Sequence, residues 1–142
     1  MRFMLMVKAD NNTEDGTLPD PKLFAEMDKF NEELIKAGVM LAAEGLMPTS
    51  KGAKIVYSGG KKTVVDGPFA ESKELVAGFS LWQVKSKAEA IEWLKRAPFQ
   101  DGEVELRQLY EAADFAPLDP TGELRAKEEA ARADHPGPYR IT

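Results

Sequence analysis

The densest grouping of reactive side chains in this sequence is the run Asp66-Gly67-Pro68-Phe69-Ala70-Glu71-Ser72-Lys73-Glu74, four charged groups and a hydroxyl around a rigid turn. A carboxylate whose pKa is raised by partial burial acts as a general base, and a neighbouring ammonium steadies an enolate-like anion or holds an anionic substrate group. Asp66 and Lys73 fit those catalytic roles. The plainer account has Asp66 capping its own turn through its carboxylate while Lys73 and Glu74 are solvated. Glu44, between the apolar run Val39–Ala43 and Gly45, is a second candidate carboxylate for ligand binding, or else an exposed strand-end charge. Phe69 in the turn and Met27 on an apolar helical stripe are the candidate apolar ligand contacts, although Met27, Phe30 and Trp82 read in the first place as core.

Other chemistries lack their groups. The single histidine, His135, stands in the stretch His135-Pro136-Gly137-Pro138, so a nucleophilic triad has no base beside an activated hydroxyl. There is no cysteine, which removes thiolate nucleophiles and disulfides, and the nitrogen and sulfur ligands that zinc needs are missing. Ser58-Gly59-Gly60-Lys61-Lys62-Thr63 has no Gly-x-x-x-x-Gly-Lys frame and is better explained as a hairpin turn than as a phosphate loop. No cofactor and no metal is expected. Nineteen basic against 24 acidic residues give a net charge of −5 without a basic stripe, so general affinity for nucleic acid or an anionic membrane has no electrostatic source. The opening apolar run Phe3–Val7 is closed by Lys8, too short for a signal-peptide core or a membrane span, and a cytoplasmic protein is expected.

The elements that must position these groups follow from the apolar periodicity. With 142 residues, 43% apolar and 30% charged, the chain suits one globular domain. Residues 2–8 are apolar at both parities and read as a strand whose two faces both need cover. Asp20-Pro21 supplies an N-cap acceptor and a first-turn proline for a helix through Leu23, Phe24, Met27, Phe30, Leu34 and Ile35 that Gly38 ends. Val39–Ala43 is a second strand. Ala53–Tyr57 and Lys62–Asp66 flank paired glycines and form a hairpin, and Leu75–Val84 is a further strand. Ser86 with Glu89 has capping-box spacing ahead of a helix with Ala88, Ile91, Leu94 and Ala97 on its inner stripe, stopped by Pro98; Val104–Tyr110 is the last strand.

This order, strand, helix, strand, hairpin, strand, helix, strand, defines an α+β class with a ferredoxin-like split βαβ arrangement and an inserted β-hairpin over residues 1–112. Residues 113–142 are a C-terminal extension, partly helical or an extended arm. Asp119-Pro120 can start a helix from Glu123 to Arg132, with Glu123 and Lys127 spaced as an ion pair. Two helices cover one sheet face only, and leaving a few hundred Å² of apolar surface wet on the other costs several kcal/mol at about 25 cal/mol per Å². A second copy of the chain, sheet facing sheet with a ligand space between, is the simplest cover; the tail folding back is the alternative.

The run Asp66–Glu74 resembles the motif that names the DGPF group of YCII-related proteins. Ala37-Gly38-Val39, Glu44-Gly45-Leu46 with Pro48, Gly78-Phe79, and Glu89-Ala90-Ile91-Glu92-Trp93 with Pro98 extend the resemblance over residues 1 to about 112. It implies a ferredoxin-like dimeric α/β barrel of bacterial type. It also implies enzymatic chemistry built on a histidine early in the first helix and an aspartate before a proline after the second, as in a relative similar to dehydrochlorinases. This chain departs at both places: the histidine position falls at or next to Met27, and Ala97 precedes Pro98. Neither moves a proton. A link of some DGPF proteins to extracytoplasmic-function sigma factors implies a regulatory setting.

Three functions follow from these residues. The first is a homodimer binding a small molecule between its sheets near Asp66–Lys73 and Glu44. The second is a lyase- or isomerase-like enzyme using Asp66 or Glu44 as base and Lys73 as anion stabiliser. The third is an interaction module whose acidic tail meets a protein partner.

Overall fold

Residues 1–70 and 74–134 are described by a computed structural model; Glu71, Ser72, Lys73 and His135 lie outside the described residues. The elements run β1 (Arg2–Lys8), α1 (Asn11–Glu14), α2 (Pro21–Lys36), β2 (Met40–Gly45), β3 (Ala53–Ser58), β4 (Lys61–Asp66), β5 (Val76–Gln83), α3 (Lys87–Lys95), β6 (Val104–Gln108) and α4 (Glu123–Asp134), with a 3-10 stretch at Ala112–Leu118.

Local chemistry sets most of these boundaries. The Asp20 carboxylate accepts from the Lys22 N–H and Pro21 opens α2, because the missing proline donor is one the first turn would leave unpaired anyway. Gly38 closes α2 at φ 71°, a left-handed conformation that glycine adopts without a Cβ penalty. Ser86 accepts from the Glu89 N–H, while the Glu89 carboxylate reaches back to the Lys85 N–H at 2.8 Å. Gly59 and Gly60, both at positive φ, turn β3 into β4. Helix α1, capped reciprocally by Asp10 and Thr13, stands in a polar stretch without helical apolar spacing.

The fold is mixed α+β with antiparallel sheets. β2, β5, β1 and β6 form a four-stranded sheet in that order; β3 and β4 pair only with each other. All residues of the β3–β4 ribbon are exposed. In the main sheet Phe3 stands opposite Trp82, Leu5 opposite Ser80 and Leu106, and Met40 opposite Trp82, so these side chains share one face. Helices α2 and α3 cover that face, and the core joins Phe3, Leu5, Met40 and Trp82 to Phe30, Leu34 and Ala90. Phe30 meets Trp82 edge-on, with ring centroids 6.4 Å apart.

Parity puts Met4, Met6, Ala42, Phe79 and Leu81 on the opposite face. None belongs to the core cluster, although Leu81 and Ala42 are buried. The helical stripes are narrower than the apolar spacing suggests: Phe24, Ile35 and Ile91 are exposed, and the inward residues of α3 are Ala90, Trp93 and Leu94. Just ahead of the tail Arg2 makes a bidentate ion pair to Glu111, both bonds 3.0 Å at their shortest, and α4 carries the Glu123–Lys127 pair at 3.3 Å. The guanidinium of Arg2, above all through its hydrogen bonds, holds the Glu111 carboxyl below its ordinary value.

Candidate functional site

The helix-covered face is incompletely filled, and the reason lies in the strand register. Toward one end of the sheet the cross-strand pairs are bulky, Met40 with Trp82; toward the other they shrink to Ala43 with Ser80 and Gly45 with Gly78. Helix α2 crosses above with Met27 and Asn31, and Leu94 and Ala97 close the roof from the α3 side. The small side chains of the floor leave a cavity of about 290 Å³ beneath these residues. A Cβ at Gly78 would stand 3.0 Å from the Glu44 carbonyl oxygen, so the close strand pair keeps that floor position bare. Val7, Gly45, Phe99 and Val104 are shared with an open groove beside the exposed Leu18, Phe24 and Met47, which form the mouth.

The cavity is apolar with few polar groups. Ser80 donates its hydroxyl to the Ala42 carbonyl at 3.1 Å. The half-buried Asn31 amide borders the space. Trp82 is 2% exposed, and among the described residues its Nε1–H is a buried donor with no acceptor. Such a group is uncommon in a folded protein.

The site residues read from sequence separate into two places. Met27 and Glu44 border the cavity, although the pairing of Glu44 with Phe79 directs its exposed carboxylate to the other sheet face. Ala97 lines the same space as Met27. Met27, at or next to the place where the resemblance implies a histidine, and Ala97, where it implies an aspartate, therefore line one cavity.

Asp66 and Phe69 do not border the cavity. Asp66 ends the exposed ribbon opposite Ala53, and the turn after it is a fastening. The Gly67 N–H donates to the Gly52 carbonyl and the Phe69 N–H donates to Thr49 Oγ1, each at 3.0 Å. Thr49 in turn donates its hydroxyl to Glu14 at 2.6 Å and its N–H to the other carboxylate oxygen at 3.2 Å, which ties the ribbon base to α1. Lys54 Nζ lies 4.1 Å from the centre of the Phe69 ring. A Cβ at Gly67 would fall 1.7 Å from the Thr49 carbonyl oxygen, so only glycine fits. Sequence reasoning missed this structural role, and it missed Asn31 and the unpaired donor of Trp82; the alternation Gly78, Ser80, Trp82 along one strand face was the available signal.

Fold and cavity define a small antiparallel α+β domain with a neutral apolar chamber between one sheet face and two helices. The chain belongs to the YCII-related domain family, whose model matches residues 1–113. It is 32% identical over 93 residues to an uncharacterized protein of Rhizobium meliloti (strain 1021), an alignment covering 63% of this chain and 75% of that relative. Among the described residues no helix is long and apolar enough to cross a membrane.

Proposed function

We propose that this protein is a homodimeric small-molecule-binding domain of ferredoxin-like topology and of the DGPF subgroup, with its ligand in the chamber beneath α2 and α3. The observation that carries the reading is the cavity itself: about 290 Å³, walled mainly by apolar side chains and opening to the surface. Binding pockets have this character, an apolar wall with a few placed polar groups. The helix side is a different location from the space between two facing sheets that the sequence suggested. With Met27 and Ala97 in the lining, the chamber supports binding rather than proton transfer. The strand order β2-β5-β1-β6 supports the ferredoxin-like assignment, and the half-buried apolar residues Met4, Met6 and Phe79 support a second copy as cover for the other face.

Methyl-labelled methionine provides the test, because Met27 and Met40 line the chamber whereas Met4 and Met6 stand on the opposite face. Titration with cyclohexane, followed by carbon–proton correlation spectra, should shift the Met27 and Met40 methyl signals and leave Met4 and Met6 in place. Shifts confined to Met4 and Met6 would move the site between the sheets, and an unchanged spectrum at saturating hydrocarbon would remove the binding reading.

A further inference from the structure

We infer that the β3–β4 ribbon is a docking arm: its Ile55, Tyr57 and Val64 face seats in the acidic groove beside Leu18 and Phe24 of a second copy of the chain, and each copy both gives a ribbon and receives one. The inference rests on the homodimer proposed above and adds a second contact to it. Three observations carry it.

The first is the bare ribbon. Two strands paired only with each other are marginally stable in water unless a hydrophobic face finds cover. Cross-strand pairing puts Ile55, Tyr57 and Val64 on one face with Lys62 toward the turn, and all four are exposed, Tyr57 at 70% and Val64 at 66%. Adjacent exposed apolar side chains of this kind mark an interaction surface. The second is a groove of matching character. About 1300 Å³ of open space lies between α1, the start of α2 and the loops after β2 and α3, with Leu18, Leu23, Phe24 and Met47 in its wall. Space of that extent has room for a segment of polypeptide. The third is charge. The groove wall carries six carboxylates against Lys8 and Lys51. Of the six, Asp15, Asp101 and Glu103 are exposed and make no ion pair among the described residues. Lys61 and Lys62 at the ribbon's turn are exposed and make none either, and the ribbon, with Lys54 besides and Asp66 as its one acid, is basic in a chain of net charge −5. An apolar ribbon edged with lysine therefore complements an apolar groove edged with carboxylate. No ribbon residue lines the groove of its own chain, and the bonds to Gly52 and Thr49 fix the ribbon's base, so the complement comes from the other copy. A mutual exchange uses the same two patches twice and closes as a twofold pair.

The chain has no cysteine, so introduced cysteines report the contact without background. Val64→Cys places one on the exposed ribbon and Leu18→Cys one on the exposed groove wall, in two separate full-length chains of which the second is labelled with nitrogen-15. After the chains are mixed and their subunits exchanged, a short bis-maleimide should join V64C to L18C. The main product should then have the mass of one labelled plus one unlabelled chain, with self-joined products minor. A charge reversal tests the same contact without a cross-linker. Lys61→Glu with Lys62→Glu should raise the dimer dissociation constant about tenfold, the scale of several exposed ion pairs lost at two equivalent contacts, and adding Asp15→Lys and Asp101→Lys to the same chain should restore it. All four of these positions are exposed, so the fold does not depend on them. A native dimer that yields only self-joined product, or none, overturns the ribbon contact and leaves the sheet-face dimer standing. A link formed within one chain that carries both cysteines, at the expense of the mixed product, seats the ribbon in its own groove and overturns the exchange. A native protein that sediments as a monomer overturns both readings.

Discussion

Replacing Gly67 by alanine isolates the role of the Asp66–Phe69 turn. An added Cβ would stand 1.7 Å from the Thr49 carbonyl oxygen and 2.5 Å from its carbon, where contacts under 3.0 Å are essentially unknown. The two backbone segments must separate by at least about 1.3 Å to accept it, since 1.7 Å has to become 3.0 Å. That displacement stretches both 3.0 Å bonds of the fastening, Gly67 N–H to Gly52 and Phe69 N–H to Thr49, past hydrogen-bond range. Two lost bonds at about 1 kcal/mol each, with about 1 kcal/mol or more of residual overpacking, come to roughly 3 kcal/mol, or about a hundredfold in the local opening equilibrium. Because the ribbon pairs only with itself and is exposed throughout, the opening stays local. Native-state hydrogen exchange should show the Gly52–Phe69 region of G67A exchanging about a hundredfold faster, with core amides of β1 and β5 unchanged and cyclohexane affinity within twofold. Intact protection of the ribbon base, or loss of ligand binding in the variant, would refute the fastening role and return the turn to the binding site.

Three further outcomes follow from the same geometry. Leu34 is fully buried in the core, so Leu34→Ala should cost about 2–5 kcal/mol in urea unfolding, and a loss under about 1 kcal/mol would contradict the packing described. Asp119 has its carboxyl held below the ordinary 3.8, first by the backbone N–H of Arg125, then by the Leu124 N–H and the Arg125 side chain, against the opposing effect of burial. Its contribution is therefore present above that value and disappears as pH falls through the lower folded pKa; the exchange protection of the Leu124 and Arg125 amides, corrected for the intrinsic rate, should decrease as pH drops below 3.8, and Asp119→Asn should flatten this acid limb. The protein should scatter light as twice its 15.7 kDa chain mass, with the double substitution Met4→Glu and Met6→Glu giving the single-chain mass; a native monomer would reject the covered sheet face.

The parts of this fold legible in the sequence are those fixed by neighbouring residues. Asp20-Pro21 and Ser86 with Glu89 start helices through bonds that span two or three positions, and Gly59-Gly60 turns a hairpin through its own φ angles. What depends on long-range pairing was not legible. Met4 and Met6 are apolar as Phe3 and Leu5 are, so the alternation in β1 alone does not say which face the helices take. The chamber exists because Ala43 meets Ser80 and Gly45 meets Gly78 across strands more than 30 residues apart. The most conspicuous charged motif drew attention to Asp66, yet its glycine and backbone amides serve the junction with Thr49 and Glu14. Conversely, Met27 and Trp82 read in the first place as core, and only the packing shows that each borders an empty volume.

Crystals of the native protein equilibrated with xenon address the central claim directly, because xenon enters apolar voids and scatters strongly. The account predicts one principal site enclosed by Met27, Phe30 and Trp82 on the helix side of the sheet. Xenon found only against Met4 and Met6, or a helix side collapsed onto Gly45 and Gly78 with no room for it, would contradict the account.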